Sequence, residues 1–422
     1  MTSPNTPTTI PPIKQIFCPL WGFIELTPLL SRILDAAEMQ RLRDIKQLGA
    51  TYFVYPSATH TRLEHSLGVC HLARQMGETL QKNHPELNIS DRDIEIWQVA
   101  GLVHDIGHGP FSHLYDNYVK RASEPEHEER GLQLFDDLCR REKIPLTADE
   151  IREIHRMIDP KGPDIYNWKY QLIANKACQI DVDKIDYIQR DSFHIGIPHA
   201  GEFSRLITGV RVSEIQREFA STRELCWNEK LQFDIYSLFA SRYRLHKQVY
   251  THHTVKAFEY IVIGMMTELR GQGAPLSRLT DANIISQCYM NPTMGGKALL
   301  ERKHAKCVGE FLIPSSKRLP RRQPPNASQH TDPPAPKLRI VLDYIIEEIK
   351  IGFVSGNGDN PLKKVHYYRE ATSPKKGKVL DINNSSFIVP EEFQERIIRL
   401  YTYSDNLEEA KEYWEKLIEK YQ

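Results

Sequence analysis

Residues 101–116, GLVHDIGHGPFSHLYD, place three histidines and two aspartates around an apolar stem and a Gly-Pro break. His104 and Asp105 follow directly after Ala100-Gly101-Leu102-Val103, a run typical of a buried helix. Buried His and Asp side chains need partners, because an unsatisfied polar group away from water is costly. The stretch therefore predicts a polar site at the end of a buried helix.

Composition limits the classes of protein and partner. The chain has 422 residues, enough for a large core and two or three structural units. Lys plus Arg equals Asp plus Glu at 55 each, so no overall basic field indicates nucleic acid or an anionic membrane as a partner. There is no signal-peptide pattern and no apolar run of about 20 residues. Seven cysteines without CxxC spacing fit a reducing compartment, so we expect an intracellular protein without membrane association.

Helical periodicity dominates the chain and predicts a mainly α fold, followed by a small C-terminal α+β lobe. Thr27-Pro28 and the segment from Asp35 to Glu38 resemble helix starts, and Gly49 is predicted to end a helix. Further helices are predicted at 62–83, 90–103, 126–141, 147–158, 168–192, 202–209, 232–270 and 279–288. Strand-like segments are predicted at 210–212, 224–227, 340–354 and 365–368. The closing segment 389–422 predicts two amphipathic helices.

Composition shifts predict four divisions of the chain. Residues 1–13 form a disordered tail, 14–312 a catalytic core with regulatory segments, 313–337 a Pro-rich basic linker and 338–422 the C-terminal lobe. The linker carries Lys317-Arg318 and Arg321-Arg322. These clusters fit either a nuclear import signal or an ordinary solvated loop.

His104 and Asp105 cannot hold a metal alone, because a catalytic site needs three or four protein ligands. His65 lies in a preceding helical segment and Asp183 in a later one, so antiparallel packing could bring both to the pair. The resulting His2Asp2 set suits Fe, Mn, Zn, Co or Ni. Taken singly, His65 is more often a satisfied helix histidine and Asp183 a cap or ion pair. The ordered pattern of all four favours the metal.

Long motifs identify a family resemblance: PLWGFIELTPLL, QRLRDIKQLG, RLEHSLGV, GLVHDIGHGPFSH, IDVDKIDY and PEEFQERIIRLY. The chain resembles the HD-domain hydrolases, and most closely the dNTP triphosphohydrolases that join a sterile alpha motif to an HD domain. The resemblance runs from about Lys14 to the C-terminus. Only a short tail precedes Lys14, so no function of a sterile alpha motif is carried over.

The resemblance implies a helical HD core in which His65, His104, Asp105 and Asp183 bind a divalent metal such as Fe, Mn or Zn, with Mg²⁺ accompanying the nucleotide. Such a metal lowers the pKa of water and polarises a phosphoryl oxygen. Attack at the α-phosphorus would release inorganic triphosphate and a deoxynucleoside.

The resemblance also assigns roles to polar residues near the metal. His113 protonates the leaving 5′ oxygen and Asp116 orients His113, while His108 and His127 contact phosphate. His108 lies one turn after His104 if the helix continues. The alternative for His108 and His113 is support of the metal ligands. The phosphate clamp consists of Arg62, Lys184 and Arg242.

Sugar and base contacts follow from the same resemblance. Tyr187 and Asp191 follow Asp183 by four and eight residues, which places them on one stripe of a helix. Asp191 would accept from the 3′ hydroxyl, and the Tyr187 ring would exclude a 2′ hydroxyl. Gln47, His246 and Tyr250 would border the sugar and base. For Tyr187 and Tyr250, core packing is the alternative.

The family assembles into tetramers around guanine nucleotide and a dNTP, which implies GTP or dGTP as an activator and a homo-oligomer. Asp35, Gln40 and Arg43 match guanine-reading positions, with Asp35 also a candidate helix N-cap. The other matching positions of this shared nucleotide site are Lys14, Arg205, Lys230, His252, Arg302 and Lys306. All of these could instead be ordinary solvated charges. Phe17, Asn228 and His253 depart from the family's polar or basic residues, so we expect weaker or altered dependence on the activator.

Two other functions remain open at this level. One is an HD phosphodiesterase or nucleotidase that acts on monophosphates or cyclic nucleotides. The other is a nucleic-acid-binding scaffold with a vestigial HD site, in which single strands occupy a basic subunit interface. The clamp of Arg62, Lys184 and Arg242 favours a triphosphate.

Overall fold

The computed structural model describes residues 14–198, 201, 203–218, 220–290, 294–314, 338–341, 344–354, 359–369 and 392–419. The predicted tail 1–13 and the basic clusters of the predicted linker lie outside these ranges, and with them the proposed nuclear import signal. In the described ranges, no helix combines the length and the apolar character that crossing a bilayer requires. All seven cysteines are described, and each is a free thiol.

Helices predominate, which confirms the predicted mainly α fold. The α-helices of the described ranges are α1 Pro28–Leu34, α2 Ala37–Arg41, α3 Arg62–Asn83, α4 Asp91–Val103, α5 His127–Arg141, α6 Ala148–Ile158, α7 Val182–Ile195, α8 Ser204–Thr208, α9 Gln232–Leu245, α10 His253–Gly271, α11 Asp281–Met290, α12 Met294–Leu300 and α13 Leu407–Ile418. The strands are β1 Lys14–Cys18, β2 Gly22–Leu26, β3 Val210–Gln216, β4 Ser221–Asn228, β5 Lys306–Ile313, β6 Leu338–Val341, β7 Tyr344–Gly352, β8 Tyr367–Tyr368 and β9 Gln394–Thr402.

Three helices, α3, α4 and α7, form the centre of the core. A Thr61–Glu64 capping box starts α3, and a Ser90–Asp93 box starts α4. The two helices pack so closely that a β-carbon at Gly101 would lie 3.1 Å from the backbone of α3. The close approach brings the end of α4 beside the first turns of α3.

The strands form three small sheets in the described ranges: β1–β2, β3–β4–β8 and β5–β9–β7–β6. The four-stranded sheet is antiparallel throughout, and α13 packs on it through Ala410 and Tyr413 against Tyr344 and Leu400. This sheet and α13 form the small α+β part that was predicted. Its edge strand β5 comes before residues 315–337, so the sheet joins strands from both sides of that segment.

Several predicted elements differ from the structure. The helix predicted at 168–192 begins only at Val182, because the Asp181 carboxylate caps it by accepting from the Lys184 N–H at 2.9 Å. The helix predicted at 232–270 is broken: α9 ends at Leu245, a π-helical turn spans His246–Tyr250, and α10 restarts after a His252 cap. The first of the two closing helices is instead the strand β9.

Residues 35–49 also differ from prediction. Asp35 does not cap α2, because the N-cap is Ala36 and the Asp35 carboxylate pairs with Lys14. Gly49 begins a 3-10 turn instead of ending a helix. Thr27 caps α1 as predicted, with its hydroxyl accepting from the Leu30 N–H. The hairpin β1–β2 was not predicted.

Candidate functional site

Four predicted side chains converge where α3, the end of α4 and α7 meet. His65 Nε2 lies 3.0 Å from Asp183 Oδ1 and 3.2 Å from His104 Nε2. Asp105 completes the group, with its carboxylate oxygens 3.6 Å from His65 Nε2 and 3.5 Å from His104 Nε2. His104 Nε2 is also 3.5 Å from Asp183 Oδ1. His65, His104 and Asp183 thus form a group that could hold one metal ion, and the Asp105 carboxylate lies beside both imidazoles. Two imidazoles and carboxylates form a donor set that suits a divalent transition metal.

Both imidazoles are oriented by contacts on their far side. The Nδ1 atom of His65 lies 2.8 Å from Asp186 Oδ2, and that of His104 lies 2.8 Å from the Gly101 carbonyl. These contacts leave each Nε2 as the atom that faces the shared volume, as is usual for metal-binding histidines. Asp186 is itself fixed by Arg190 and by the indole N–H of Trp21, at 2.6 Å.

The electrostatics of this volume favour positive charge. Burial lowers the pKa of His65, but hydrogen bonds with Asp183 and Asp186 outweigh burial and raise the pKa to about 10. The pKa of His104 is also raised, because the nearby carboxylates outweigh burial. Burial raises the pKa of Asp183, but the two histidines outweigh it and the net pKa is low. The group therefore fits a cation.

A second histidine cluster follows. Because α4 ends at Val103, the helix does not continue to His108, and a turn from Asp105 to His108 takes its place. The rings of His108 and His127 stack at 4.1 Å, and the ring of His113 lies 5.0 Å from that of His108, edge on. His108 Nε2 lies 3.2 Å from Asp105 Oδ1, which joins this cluster to the first.

Asp116 does not contact the predicted partner in the described structure. Its Oδ2 lies 3.7 Å from His108 Nδ1 and 3.8 Å from His127 Nδ1, while Oδ1 accepts from Arg130 at 2.6 Å. Asp116 therefore faces the stacked pair His108 and His127 instead of orienting His113. Arg130, which anchors this carboxylate, was not among the predicted residues.

The ring of His113 is exposed to solvent. Surrounding protein nevertheless desolvates it, and together with the Arg62 guanidinium lowers the pKa of His113 to about 3. Burial and Arg62 also hold the pKa of His108 well below its usual range. Both rings are therefore neutral at pH 7 in the free protein.

Arg62, predicted to clamp phosphate, is buried and pairs with the Asp105 carboxylate. Its Nε also donates to the Ser112 hydroxyl at 2.9 Å. Ser112 and Phe111 adopt left-handed backbone conformations, with φ of 55° and 58°. Such φ values are uncommon outside glycine, and here they turn the chain between His108 and His113.

Residues of α7 form the predicted stripe beyond Asp183. Asp191 is 1% exposed; its Oδ1 lies 2.7 Å from His60 Nε2, and its Oδ2 accepts from the Tyr250 hydroxyl. Tyr187 is half-buried on the same stripe, and burial raises its pKa although Arg242 and Lys184 lie near enough to oppose the rise. Tyr187, a predicted sugar residue, thus lies near Lys184 and Arg242, which are predicted to bind phosphate.

The other predicted substrate residues border this region. Lys184 Nζ lies 3.1 Å from Asp181 Oδ2, and Arg242 donates to the Gly352 carbonyl of β7. The His246 ring lies edge on to Tyr250 at 4.9 Å, and its pKa is lowered by burial, Arg242 and His113. Gln47 is buried, and its backbone N–H donates to the His60 carbonyl at 3.0 Å.

The predicted regulatory residues fall into three groups on the single chain. In the first, Lys14 pairs with Asp35 at 2.8 Å, and the Gln40 amide links the Leu34 carbonyl to Arg43. The second contains Arg205, which pairs with Asp234, and Lys230, at the start of α9. The third contains His252, Arg302 and Lys306, near the start of α10 and on β5.

The departing residues lie in the same three groups. Phe17 is 65% exposed on β1 and packs edge on against Phe23. Asn228 is buried, and its side chain accepts from the Lys230 N–H at 3.0 Å. His253 stacks on His252 and lines a cavity of about 350 Å³ together with His304, Cys307 and Glu310.

Seven residues that support the predicted ones were not predicted: Trp21, His60, Ser112, Arg130, Asp186, Arg190 and His194. Asp186, Arg190 and His194 had a usable signal, because they follow Asp183 by three, seven and eleven residues on the same helix, α7. Ser112 lies within residues 101–116. Trp21, His60 and Arg130 come from separate segments, and no spacing within the sequence links them to the site.

Histidine and aspartate donors that converge from α3, the end of α4 and α7 define an HD-domain protein. The family model described as HD domain matches residues 62–191, which include all four converging residues. The human deoxynucleoside triphosphate triphosphohydrolase SAMHD1 is 31% identical over 451 aligned residues, which cover 92% of this chain and 70% of the human protein. The chain belongs to the SAMHD1 family.

Other relatives cover similar shares. The Bos taurus protein of the same name is 32% identical over 448 aligned residues, which cover 92% of this chain and 75% of the relative. A Dictyostelium discoideum homologue of SAMHD1 is 28% identical over 421 residues, or 95% of this chain and 79% of that protein. The likeness therefore extends well beyond the residues of the HD domain.

Proposed function

We propose that this protein hydrolyses dNTPs to a deoxynucleoside and inorganic triphosphate. The observation that carries the proposal is the group of His65, His104 and Asp183, which could share one metal ion, with Asp105 within 3.6 Å of both imidazoles. Asp191 lies two turns further along the helix of Asp183. Relatives named deoxynucleoside triphosphate triphosphohydrolase support the substrate class. A nucleotide would lie along α7, with its α-phosphorus at the converging donors and its sugar at Asp191.

The four converging residues fit a divalent transition metal such as Fe, Mn or Zn, and Mg²⁺ would accompany the phosphates. Two imidazoles with their far nitrogens already engaged and two carboxylates form a mixed N and O donor set. When bound, such an ion supplies a water of lowered pKa and polarises a phosphoryl oxygen.

The leaving 5′ oxygen takes a proton from His113 in this proposal. In the free protein the pKa of His113 is about 3, so the ring must gain its proton when substrate binds. A bound triphosphate brings about four negative charges, which oppose the effect of Arg62 and raise the pKa of a nearby imidazole. His113 then acts as a general acid only in the complex, where protonation is useful.

Cations and aromatic rings of this chain hold the substrate. Arg62, Lys184 and Arg242 provide positive charge for the phosphates, and the rings of His108 and His127 offer further contacts. Tyr187 occupies the side of the sugar where a 2′ hydroxyl would project. Gln47, His246 and Tyr250 border the sugar and base.

Regulation by guanine nucleotide, with assembly into a homo-oligomer, is the second part of the proposal. Two neighbouring pairs, Lys14–Asp35 and Gln40–Arg43, support a guanine-reading group, because a carboxylate can accept from the guanine N1 and N2 donors. Phe17 and His253 stand where the family has polar or basic residues, so the regulatory residue groups that contain them offer fewer contacts to a nucleotide. We therefore expect activation by GTP or dGTP that depends little on a second dNTP.

The experiment incubates purified, metal-analysed protein with each dNTP and NTP, with and without GTP, and separates the products by chromatography. Intact triphosphate together with a deoxynucleoside supports the proposal, whereas orthophosphate or cleavage of monophosphates supports the nucleotidase alternative. Sedimentation of the same samples tests assembly. A strict need for both GTP and a dNTP, with a jump from monomer to tetramer, would refute the proposed change in activation.

A further inference from the structure

His60, immediately before α3, makes a buried contact that the proposed chemistry does not use. Its side chain is 0% exposed, and Nε2 lies 2.7 Å from Asp191 Oδ1. Burying a histidine side chain away from solvent is unfavourable unless the ring makes a hydrogen bond with a partner. Asp191 is the partner that the described structure provides.

Asp191 is held from two sides by different elements. His60 engages Oδ1 from the segment before α3, and the Tyr250 hydroxyl donates to Oδ2 from the π-helical turn after α9. Two donors on the two oxygens fix the rotation of the carboxylate. Each carboxylate oxygen can accept more than one hydrogen bond. A substrate hydroxyl can therefore still donate to Asp191 along a lone-pair direction that His60 and Tyr250 do not use.

The orientation of the His60 ring is set by stacking. The ring of His194 lies parallel to it at a centroid distance of 4.3 Å and an interplanar angle of 15°. His194 is in turn 3.5 Å from Glu64 of the α3 capping box. The His60 Nδ1 atom is buried and has no hydrogen-bond partner in the described part of the chain. Stacking, not a second hydrogen bond, therefore directs Nε2 at Asp191.

We infer that His60 is a positioning residue for recognition of the 3′ hydroxyl: it holds Asp191 so that the carboxylate discriminates nucleotides with a 3′ hydroxyl from those without one. This inference rests on the proposed function, which places the sugar at Asp191. Positioning matters because a hydrogen bond to a charged acceptor gains energy only in good geometry. A carboxylate free to rotate would lose that geometry, and the site would lose its preference for the hydroxyl.

The test compares dTTP with 3′-deoxythymidine triphosphate, in the presence of GTP, for the native protein, His60→Ala and His60→Gln. The readout is the ratio of kcat/KM for the two nucleotides. We expect His60→Ala to lower this ratio about tenfold, since a hydrogen bond to a charged group has about that effect. His60→Gln keeps an N–H donor and should restore part of the ratio. His155→Gln is the matched control. His155 lies on α6, pairs with Asp136 and is not among the predicted site residues.

A merely structural role for His60 would lower activity on both nucleotides equally and leave the ratio unchanged, and this result overturns the inference. Calorimetric binding of the two nucleotides to the same variants gives the ratio independently of turnover, and thermal melting identifies a variant that fails to fold. If the native protein cleaves neither nucleotide but binds dTTP more tightly in a His60-dependent way, the proposed function fails and the inference stands. Equal binding ratios in all variants overturn the inference alone.

Discussion

Gly68 on α3 lies directly against the Asp186 carboxylate on α7, so closely that a β-carbon at Gly68 would overlap Asp186 Oδ1 and crowd Arg190. Asp186 holds His65 Nδ1 at 2.8 Å. The absence of a side chain at Gly68 is therefore a condition for the orientation of a predicted metal ligand.

The first prediction follows from this contact. Gly68→Ala should push Asp186 away from His65 and lower metal affinity by about 10- to 100-fold, as expected when the partner of a ligating histidine is lost. Metal titration of the purified variant measures the effect. Gly264→Ala is the matched control, because Gly264 is helical and a β-carbon there meets nothing within 4 Å. Equal metal affinity of Gly68→Ala and native protein would contradict the prediction.

The second prediction concerns the converging donors themselves. Asp183→Asn and His65→Ala should each abolish stoichiometric metal binding and leave less than about 1% of dNTP hydrolysis, because the metal is needed to activate water. Elemental analysis of the purified protein and a product assay measure both effects. His155→Gln, a partly exposed histidine on α6, should retain metal and activity. A variant that lost metal but kept hydrolysis would exclude the metal from the reaction.

The proposed donation of a proton by His113 gives a third prediction. His113→Ala should lower kcat by about 10²- to 10⁴-fold for dNTPs. When sulfur replaces the bridging 5′ oxygen of the substrate, the deoxynucleoside leaves as a thiolate, which needs little protonation. The variant should therefore cleave this analogue nearly as fast as the native protein does. The two substrates are compared in a single-turnover assay. An equal loss on both would assign His113 to binding instead of proton transfer.

Selection of deoxyribose gives a fourth prediction. Tyr187→Ala should open space beside the sugar and lower the preference for dCTP over CTP by about tenfold or more, within the range expected for a steric contact. Tyr187→Phe keeps the ring and should keep the preference. The ratio of kcat/KM for dCTP to kcat/KM for CTP, compared between the native protein and both variants, measures this preference. If Tyr187→Phe also lost the preference, the phenol hydroxyl would be the selecting group and not the ring.

A fifth prediction concerns stability against pH. The buried Glu224 carboxylate accepts from Arg217 at 2.6 and 2.7 Å and from Thr222 at 2.6 Å. Burial raises the pKa of Glu224, but hydrogen bonds from His366, Arg217 and Thr222 outweigh it and lower the pKa from 4.5 to about 2. A pKa lowered by folding contributes stability above the unfolded value and loses that contribution as pH falls toward the folded value.

Glu224→Gln should therefore lower the free energy of unfolding by about 2 kcal/mol at pH 7. Its difference from the native protein should shrink between pH 4.5 and about 2. Urea unfolding across this range measures the difference. The exposed Glu408, paired with Lys411, is the control, and Glu408→Gln should change stability by less than about 1 kcal/mol. A difference independent of pH would show that the charge of Glu224 contributes nothing.

Sequence periodicity located α3 and α4 correctly because their apolar faces and caps are local features. Arg62–Asn83 and Asp91–Val103 both begin at capping residues visible in the sequence. For the strand β9 the sequence predicts a helix, because Ile397, Ile398, Leu400 and Tyr401 fit a helical spacing equally well. In the structure β9 is central, between β5 and β7, and is buried on both faces, so alternation is lost.

The site could be anticipated in part for a similar reason. Spacing identified Asp183, Tyr187 and Asp191 as one helical stripe, and their placement on α7 follows directly. His60 and Arg130 could not be found this way, because each acts through a tertiary contact with Asp191 or Asp116. Likewise, the break between α9 and α10 carries no proline or glycine, so no local signal marked it.

In the proposed function, the continuous helix from Asp183 to Asp191 would set the distance between the ion and the sugar. Eight residues of helix span about 12 Å, and this length is set by the hydrogen-bonded backbone of α7 and not by loops. A nucleotide anchored by its sugar would thus present the same phosphorus to the ion regardless of how many phosphates trail beyond it. A deoxynucleoside tetraphosphate would be cut at the same bond and release inorganic tetraphosphate, since the position of scission is counted from the sugar end.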